Sequence, residues 1–475
     1  MKKRFKVLSL ILATLFALPA FLGAASPAEG VRRSSAPVEI TFWSIFPIGD
    51  PKLAELEALI AQFEAQNPGI RVRHTGFSFW DYWGRLRTAQ AGRTDPDVSF
   101  NDNASVQIRA RSGVIRSLQP FIDASGTDIY QFGEGDRRLS TWQGEMYAFM
   151  FSSDFRLLFF NRDHFREAGL PDRAPTTIEE LKEFADKLDV WEGNSLRRAA
   201  FHPRMGNNSF YTDVWNVGGE FFTPEGRPNF DCPIVIKGLQ QYVDLCRRYT
   251  IRQFNGFMSQ TQASTLDPFV LGLSSMVVHG DWFAWELQHF RNQFPDDPTF
   301  DFDWSVAPYP HTEGNRTSWG NGFTLEMSAR TTGDRAEAAF RFMEFMAQPE
   351  VQKLWPEKFQ MSPANEISLQ LLLDDPSTPP QARKIFTEAA YRRSPDVNFE
   401  LPEWWIFVTP ELDSAIAGHQ TVEEAAANIQ AQLLNRMGIE AGRPDYPLLI
   451  GIFAFIGFTI IFFVVTGIID RKRKI

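Results

Sequence analysis

The 475-residue sequence predicts an α/β protein of more than one domain, with one transmembrane helix at its C-terminus. Three observations lead there. Strand-like and helix-like apolar spacings alternate from Val38 to Phe100 in the order β-α-β-α-β. The stretch between the two apolar ends of the chain is longer than one hydrophobic core usually serves, so two domains are expected. The run from Pro447 to Ile469 is apolar throughout, and at about 1.5 Å per residue it spans roughly 33 Å, enough for a bilayer core.

Taken in order, the N-terminus pairs the basic start MKKRFK with an uncharged run from Val7 to Gly23 and the small residues Ala24 and Ala25. This is the layout of a secretory signal, expected over residues 1–25 and removed after Ala25. Val38, Ile40 and Phe42 then repeat at period two. Leu53, Leu56, Ile60 and Phe63 repeat at helical spacing until Asn67-Pro68-Gly69 stops them. Ile70 and Val72 resume a strand, Trp80, Trp83, Leu86 and Ala89 suit a second helix, and Val98 to Phe100 form a short strand. Such a run makes a parallel sheet, whose ligands sit beyond the carboxyl ends of the strands: here Trp43 to Phe46, His74 to Gly76 and Asn101 to Asn103.

Further along, Thr176 with Glu179 and Thr177 with Glu180 are capping-box spacings, as is Thr421 with Glu424. Ala336, Ala339, Phe340, Met343 and Ala347 make one helical apolar face. Residues 438–446 read as a linker, 447–469 as the transmembrane helix and 470–475 as a cytoplasmic basic tail, which sets the rest of the chain outside, in the periplasm or at the cell surface.

The net charge is −10, and because both ends are basic the part between them is more acidic still. Such a surface disfavours nucleic acid. The two cysteines, Cys232 and Cys246, cannot form a disulfide framework; they could pair, or Cys246 could fill an apolar helix face beside Leu239 and Val243. No His pair has the spacing of a helical zinc site, and neither a G-x-S-x-G elbow nor a phosphate loop occurs. No catalytic residue, metal or cofactor is therefore expected.

Seven segments in fixed order carry a resemblance: VEITFWSIF, FEAQNPGIRV, WDYWGRLRTAQAGRTDPDV, GEMYAFMFSSDFRLLFFNRDHFREAGL, MVVHGDWFAWEL, APYPHTEGNRTSWGNGFTL and AEAAFRFMEFMAQPEVQKLW. Together they resemble the family 1 extracellular solute-binding proteins, the maltose-binding-protein-like receptors of carbohydrate ABC transporters. The sequence departs from that pattern at Phe149-Met150, where a Pro is expected, and in lacking a lipid-anchoring Cys, for which the C-terminal helix would substitute.

The resemblance implies a two-lobed periplasmic-binding-protein-like fold with discontinuous lobes and a hinged cleft. Its lobes are expected at 37–155 with 283–325, and at 156–282 with 326–437. It also implies a monomer that binds a carbohydrate and delivers it to the permease subunits of an ABC importer. A pyranose offers apolar faces and a rim of hydroxyls, so stacking is expected from Trp43, Trp215, Trp282, Trp319 and Trp404, and rim contacts from Asp102, Asp154, Asp281 and Asn321. Each has a plainer reading, since Trp commonly fills cores and Asp caps helices. Trp80, Trp83, Trp285 and Trp405 are assigned to packing, and Arg109, Arg111 and Arg116 to a solvated helix face. A secreted glycoside-active enzyme and a receptor without transport are the alternatives.

Overall fold

Two sheets divide the chain in the computed structural model, which describes residues 36–261, 266–312, 314–393 and 404–438. The larger has six strands in the order 362–363, 148–153, 322–327, 98–102, 38–44, 70–76. Strand Val38–Ser44 runs parallel to Ile70–Gly76 in register Val38 with Ile70, and parallel to Val98–Asp102. Strand Gly322–Met327 is antiparallel to both of its neighbours. The smaller sheet is antiparallel, with Arg156–Asn161 between Met276–Gly280 and Trp304–Ala307.

The expected β-α-β-α-β start is present. Helix Pro51–Gln66 buries Leu56, Leu59, Ile60 and Phe63, and helix Phe79–Ala91 buries Tyr82, Leu86 and Ala89. Asp50 caps the first of these from its side chain, with Pro51 at the first helical position. Of the two overlapping spacings at 176–180, Thr177 is the cap, accepting from the Glu180 amide at 3.1 Å. Thr421 and Glu424 form a complete capping box on helix Val422–Arg436. Thr421→Ala should cost about 1 kcal/mol of stability, measured by urea unfolding.

Each sheet has its own core. The larger packs Phe42, Phe100 and Phe149 against helix Asp334–Ala347, with Trp355 fully buried and donating from its indole N–H to the Phe151 carbonyl. The smaller packs Leu157, Phe159 and Val277 against Phe283 and Leu287 of helix Phe283–Gln293. A helical core beside it joins Phe210–Trp215, Pro233–Cys246, Trp405–Ile416 and Val422–Arg436. Cys246 is buried there, and it and Cys232 are free thiols.

The segments are shared out differently from the expected lobes. Helix Phe283–Gln293 and strand Trp304–Ala307 lie on the smaller sheet, and helix Asp334–Ala347 lies on the larger. An apolar helix face shows in sequence that it must be covered, not which sheet covers it.

The expected fold class needs a second correction. Among the described residues no helix is long and apolar enough to cross a membrane. Residues 447–469, together with 1–25, 439–446 and 470–475, lie outside the described residues, so the transmembrane helix is no part of the described fold.

Candidate functional site

The chain leaves the larger sheet at Ser153 and enters the smaller at Arg156, so residues 154–155 cross between them. Arg156 is the one charged side chain at the head of an otherwise apolar strand, and it is 6% exposed. Its Nε donates to the Asn207 side-chain oxygen at 2.8 Å and its Nη1 to Asp154. Its guanidinium lies 4.8 Å from the Trp282 ring centre and 4.1 Å from that of Trp319. Both indoles are half-buried. A cation between two indole faces is held by their quadrupoles and keeps the rings apart.

Asp154 also accepts from the Asn321 amide at 3.0 Å, and the Asp154 amide donates to the Asn321 carbonyl at 3.0 Å. This ties the first crossing to the loop after Trp319. Gly320 has no room for a side chain, because a Cβ there would meet the Asp154 carbonyl oxygen at 2.3 Å. Trp319 continues into an aromatic group: its ring centre is 5.6 Å from Tyr211, which stacks on Trp215 at 5.5 Å and touches Trp404 at 5.5 Å. The indole nitrogens of Trp215 and Trp319 and the side-chain oxygen of Asn321 are buried without a partner in the protein. Buried donors and acceptors of this kind are costly unless something pairs with them.

Thus Asp154, Asp281, Trp282, Trp319 and Asn321 come together at the junction, with Trp215 and Trp404 reached through Tyr211. Trp404 is 1% exposed and enclosed by Phe221 and Phe230 at 5.1 and 5.8 Å, so its faces pack inside the helical core. Trp215 is similarly buried, with the Arg393 guanidinium 4.6 Å from its ring centre. Trp43 and Asp102 sit apart, at strand ends of the larger sheet. Trp43 packs edge-on to Phe77 at 4.8 Å. Asp102 caps the turn at 103–105 and pairs with Arg109 at 3.0 Å.

Arg109 is not on a solvated face. It reaches back to bond Glu326, whose side chain has no exposure. Arg116 likewise donates to the Thr331 carbonyl. Trp80, assigned to packing from its helical spacing, is 86% exposed.

Asp281 joins the lobes. Its carboxylate accepts from the Phe155 amide at 3.4 Å on the crossing and from the Ser362 hydroxyl on the larger sheet's edge strand. Burial, and next the nearby Asp154, push its carboxyl up to about 7. Because the folded value lies above the ordinary one near 3.8, stability from this group is full in acid and falls as pH rises towards about 7. Asp281→Asn keeps an acceptor for Phe155 but cannot ionise. Its stability relative to the unsubstituted chain should rise between about pH 4 and about pH 7 by on the order of a few kcal/mol, then level off, in urea titrations across that range.

Charge at the junction is matched. Arg156 pairs with Asp154, Arg392 with Asp136, and Arg393 with Glu220. His279 stacks on Phe283 at 4.0 Å and is pushed down to about 3 by burial and by Arg156, so it is neutral. Among the described residues no group of His, Cys, Asp and Glu is arranged to hold a metal ion. Sequence reasoning missed Arg156, Tyr211 and Asn207. Of these only Arg156 had a signal, as a charge set beside the apolar run Leu157 to Phe160.

The architecture matches known proteins. The structure of the substrate-binding protein Lmo0181 of Listeria monocytogenes in complex with cycloalternan superposes with a TM-score of 0.67 at 22% identity, over 85% of this chain and all of that one. The sugar-binding protein MalE of Xanthomonas citri gives 0.68 at 21%, over 84% and 98%. At these identities the likeness shows the two-lobed fold. In sequence, the sn-glycerol-3-phosphate-binding periplasmic protein UgpB of Shigella dysenteriae is 22% identical over 422 residues, covering 80% of this chain and 90% of that protein. The family model for bacterial extracellular solute-binding proteins matches residues 58–383, and the chain belongs to that family.

Proposed function

We propose that this chain is the substrate-binding subunit of an ABC importer, that it holds a neutral carbohydrate at the junction of its lobes, and that it passes the ligand to a permease. The observation that carries the reading is the Trp282–Arg156–Trp319 arrangement, with Asp154 and Asn321 beside it. It supplies apolar faces for pyranose C–H groups and polar atoms for hydroxyls. The pairing of Arg156, Arg392 and Arg393 with carboxylates favours a neutral ligand over a phosphate ester, which would need an uncompensated cation. Lobe movement about the crossings at 154–155, 281–282 and 320–321 would close the site. The chain would bind without chemistry, and its place would be the outer side of the membrane.

The test is thermal melting of the full chain with a panel of neutral sugars, sugar acids and sn-glycerol-3-phosphate. A ligand at a hundred times its Kd adds about 2.7 kcal/mol, which moves the midpoint by several degrees. A rise with one neutral sugar class is expected. Absence of any rise with a sugar, or appearance of new reducing ends, overturns the reading.

A further inference from the structure

Helix Phe79–Ala91 starts just beyond the carboxyl end of strand Ile70–Gly76, next to Trp43 across the parallel pair, so its first turn lies where the open sheet presents ligands. Trp80 stands there 86% exposed. Its ring is not loose: it meets Phe79 edge-on at 5.1 Å, and Phe79 meets Trp83 at 5.6 Å and Phe323 at 6.5 Å. Trp83 stacks on Phe323 at 15°. Phe323 is opposite Asp102 in the sheet and follows Asn321 by two residues, so a row of rings leads from the junction out to Trp80. Asp81, next in the chain, is held by the Ser78 hydroxyl at 2.9 Å and keeps further acceptor capacity. An exposed flat ring with a fixed carboxylate beside it is a surface for a sugar face and its rim hydroxyls.

We propose that Trp80 forms an outer sugar subsite, so that the ligand is an oligosaccharide running from the junction along the aromatic row of the larger lobe. This rests on the carbohydrate reading above and adds chain length to it. Monosaccharides would contact the junction alone; longer chains would reach Trp80. The ring's exposure means that Trp80→Ala removes a contact surface without opening a cavity.

The experiment is calorimetric titration of the full chain, Trp80→Ala and Trp80→Phe with glucose, maltose, maltotriose and maltotetraose and with the matching β-1,4-linked mannose series. Expected are affinity that grows with chain length in the unsubstituted protein, a loss of about tenfold or more confined to the longer members in Trp80→Ala, and partial recovery in Trp80→Phe. An equal loss at every length, no loss at any length, or binding of monosaccharides alone overturns the outer subsite and leaves the carbohydrate reading standing. Failure of the unsubstituted protein to bind any saccharide overturns both. Unchanged saccharide affinity with loss of uptake in cells would assign Trp80 to a protein contact and overturn the subsite.

Discussion

Arg109→Ala should remove about 3–5 kcal/mol of folding stability, the range for stripping one partner from a buried ion pair. Arg109 is the sole guanidinium bonded to Glu326, through Nε at 2.8 Å and Nη2 at 2.5 Å, and it also holds Asp102 at 3.0 Å. Glu326 lies inside the larger sheet, with Asn101 at 3.1 Å and Thr324 at 3.2 Å as its other partners. Burial already lifts its carboxyl above the ordinary range despite Arg109 beside it. Without Arg109 the group must either take up a proton or stay charged in a dry strand, and both cost stability. The same logic makes the double variant Arg109→Met with Glu326→Leu recover most of the loss, since the stranded charge goes too. Urea unfolding of the three proteins checks this. A loss below about 1 kcal/mol in Arg109→Ala would show that the pair is hydrated.

The second large effect falls on binding. Trp319→Ala should weaken the preferred saccharide by about 2–4 kcal/mol, as expected for a central aromatic anchor. Trp319 is the ring shared by the two halves of the site: one side meets the Arg156 guanidinium at 4.1 Å and the other meets Tyr211 at 5.6 Å. Its loss removes a stacking face and lets Arg156 settle differently against Trp282 and Asp154. Because Trp319 is only half-buried, folding should suffer less than binding, which separates the two roles. Titration calorimetry with melting on the same sample reads both. Affinity within twofold of the unsubstituted chain would remove Trp319 from the site.

Much of the fold was legible because burial leaves a periodic trace. The period-two run at Val38 and the helical run at Leu53 each report which side of an element is covered, and Thr421 with Glu424 marks a helix start through its own hydrogen bonds. What local spacing cannot report is the partner. Helix Phe283–Gln293 shows an apolar face, yet only tertiary packing sends it to the smaller sheet. Arg109 is polar by type, but its neighbours Val106 and Ala110 are buried, and the partner that keeps it inward is 217 positions away.

The aromatic residues were harder for the same reason. Trp80 and Trp404 look alike in sequence, each in a helix-forming stretch rich in rings. One stands 86% exposed and the other 1%. The candidate site was legible where it depended on chain turns, at Asp154, Asp281-Trp282 and Trp319 to Asn321. It was not where it depended on side chains from distant elements, as with Tyr211 and Asn207.

The most direct measurement is calorimetric titration of the full chain with neutral gluco- and manno-oligosaccharides alongside sn-glycerol-3-phosphate. Saturable binding of a neutral saccharide, with the phosphate ester at least about a hundredfold weaker, is the expected result, since each junction guanidinium already has a carboxylate. Tight binding of the phosphate ester with none of the saccharides would contradict a neutral carbohydrate site between the lobes.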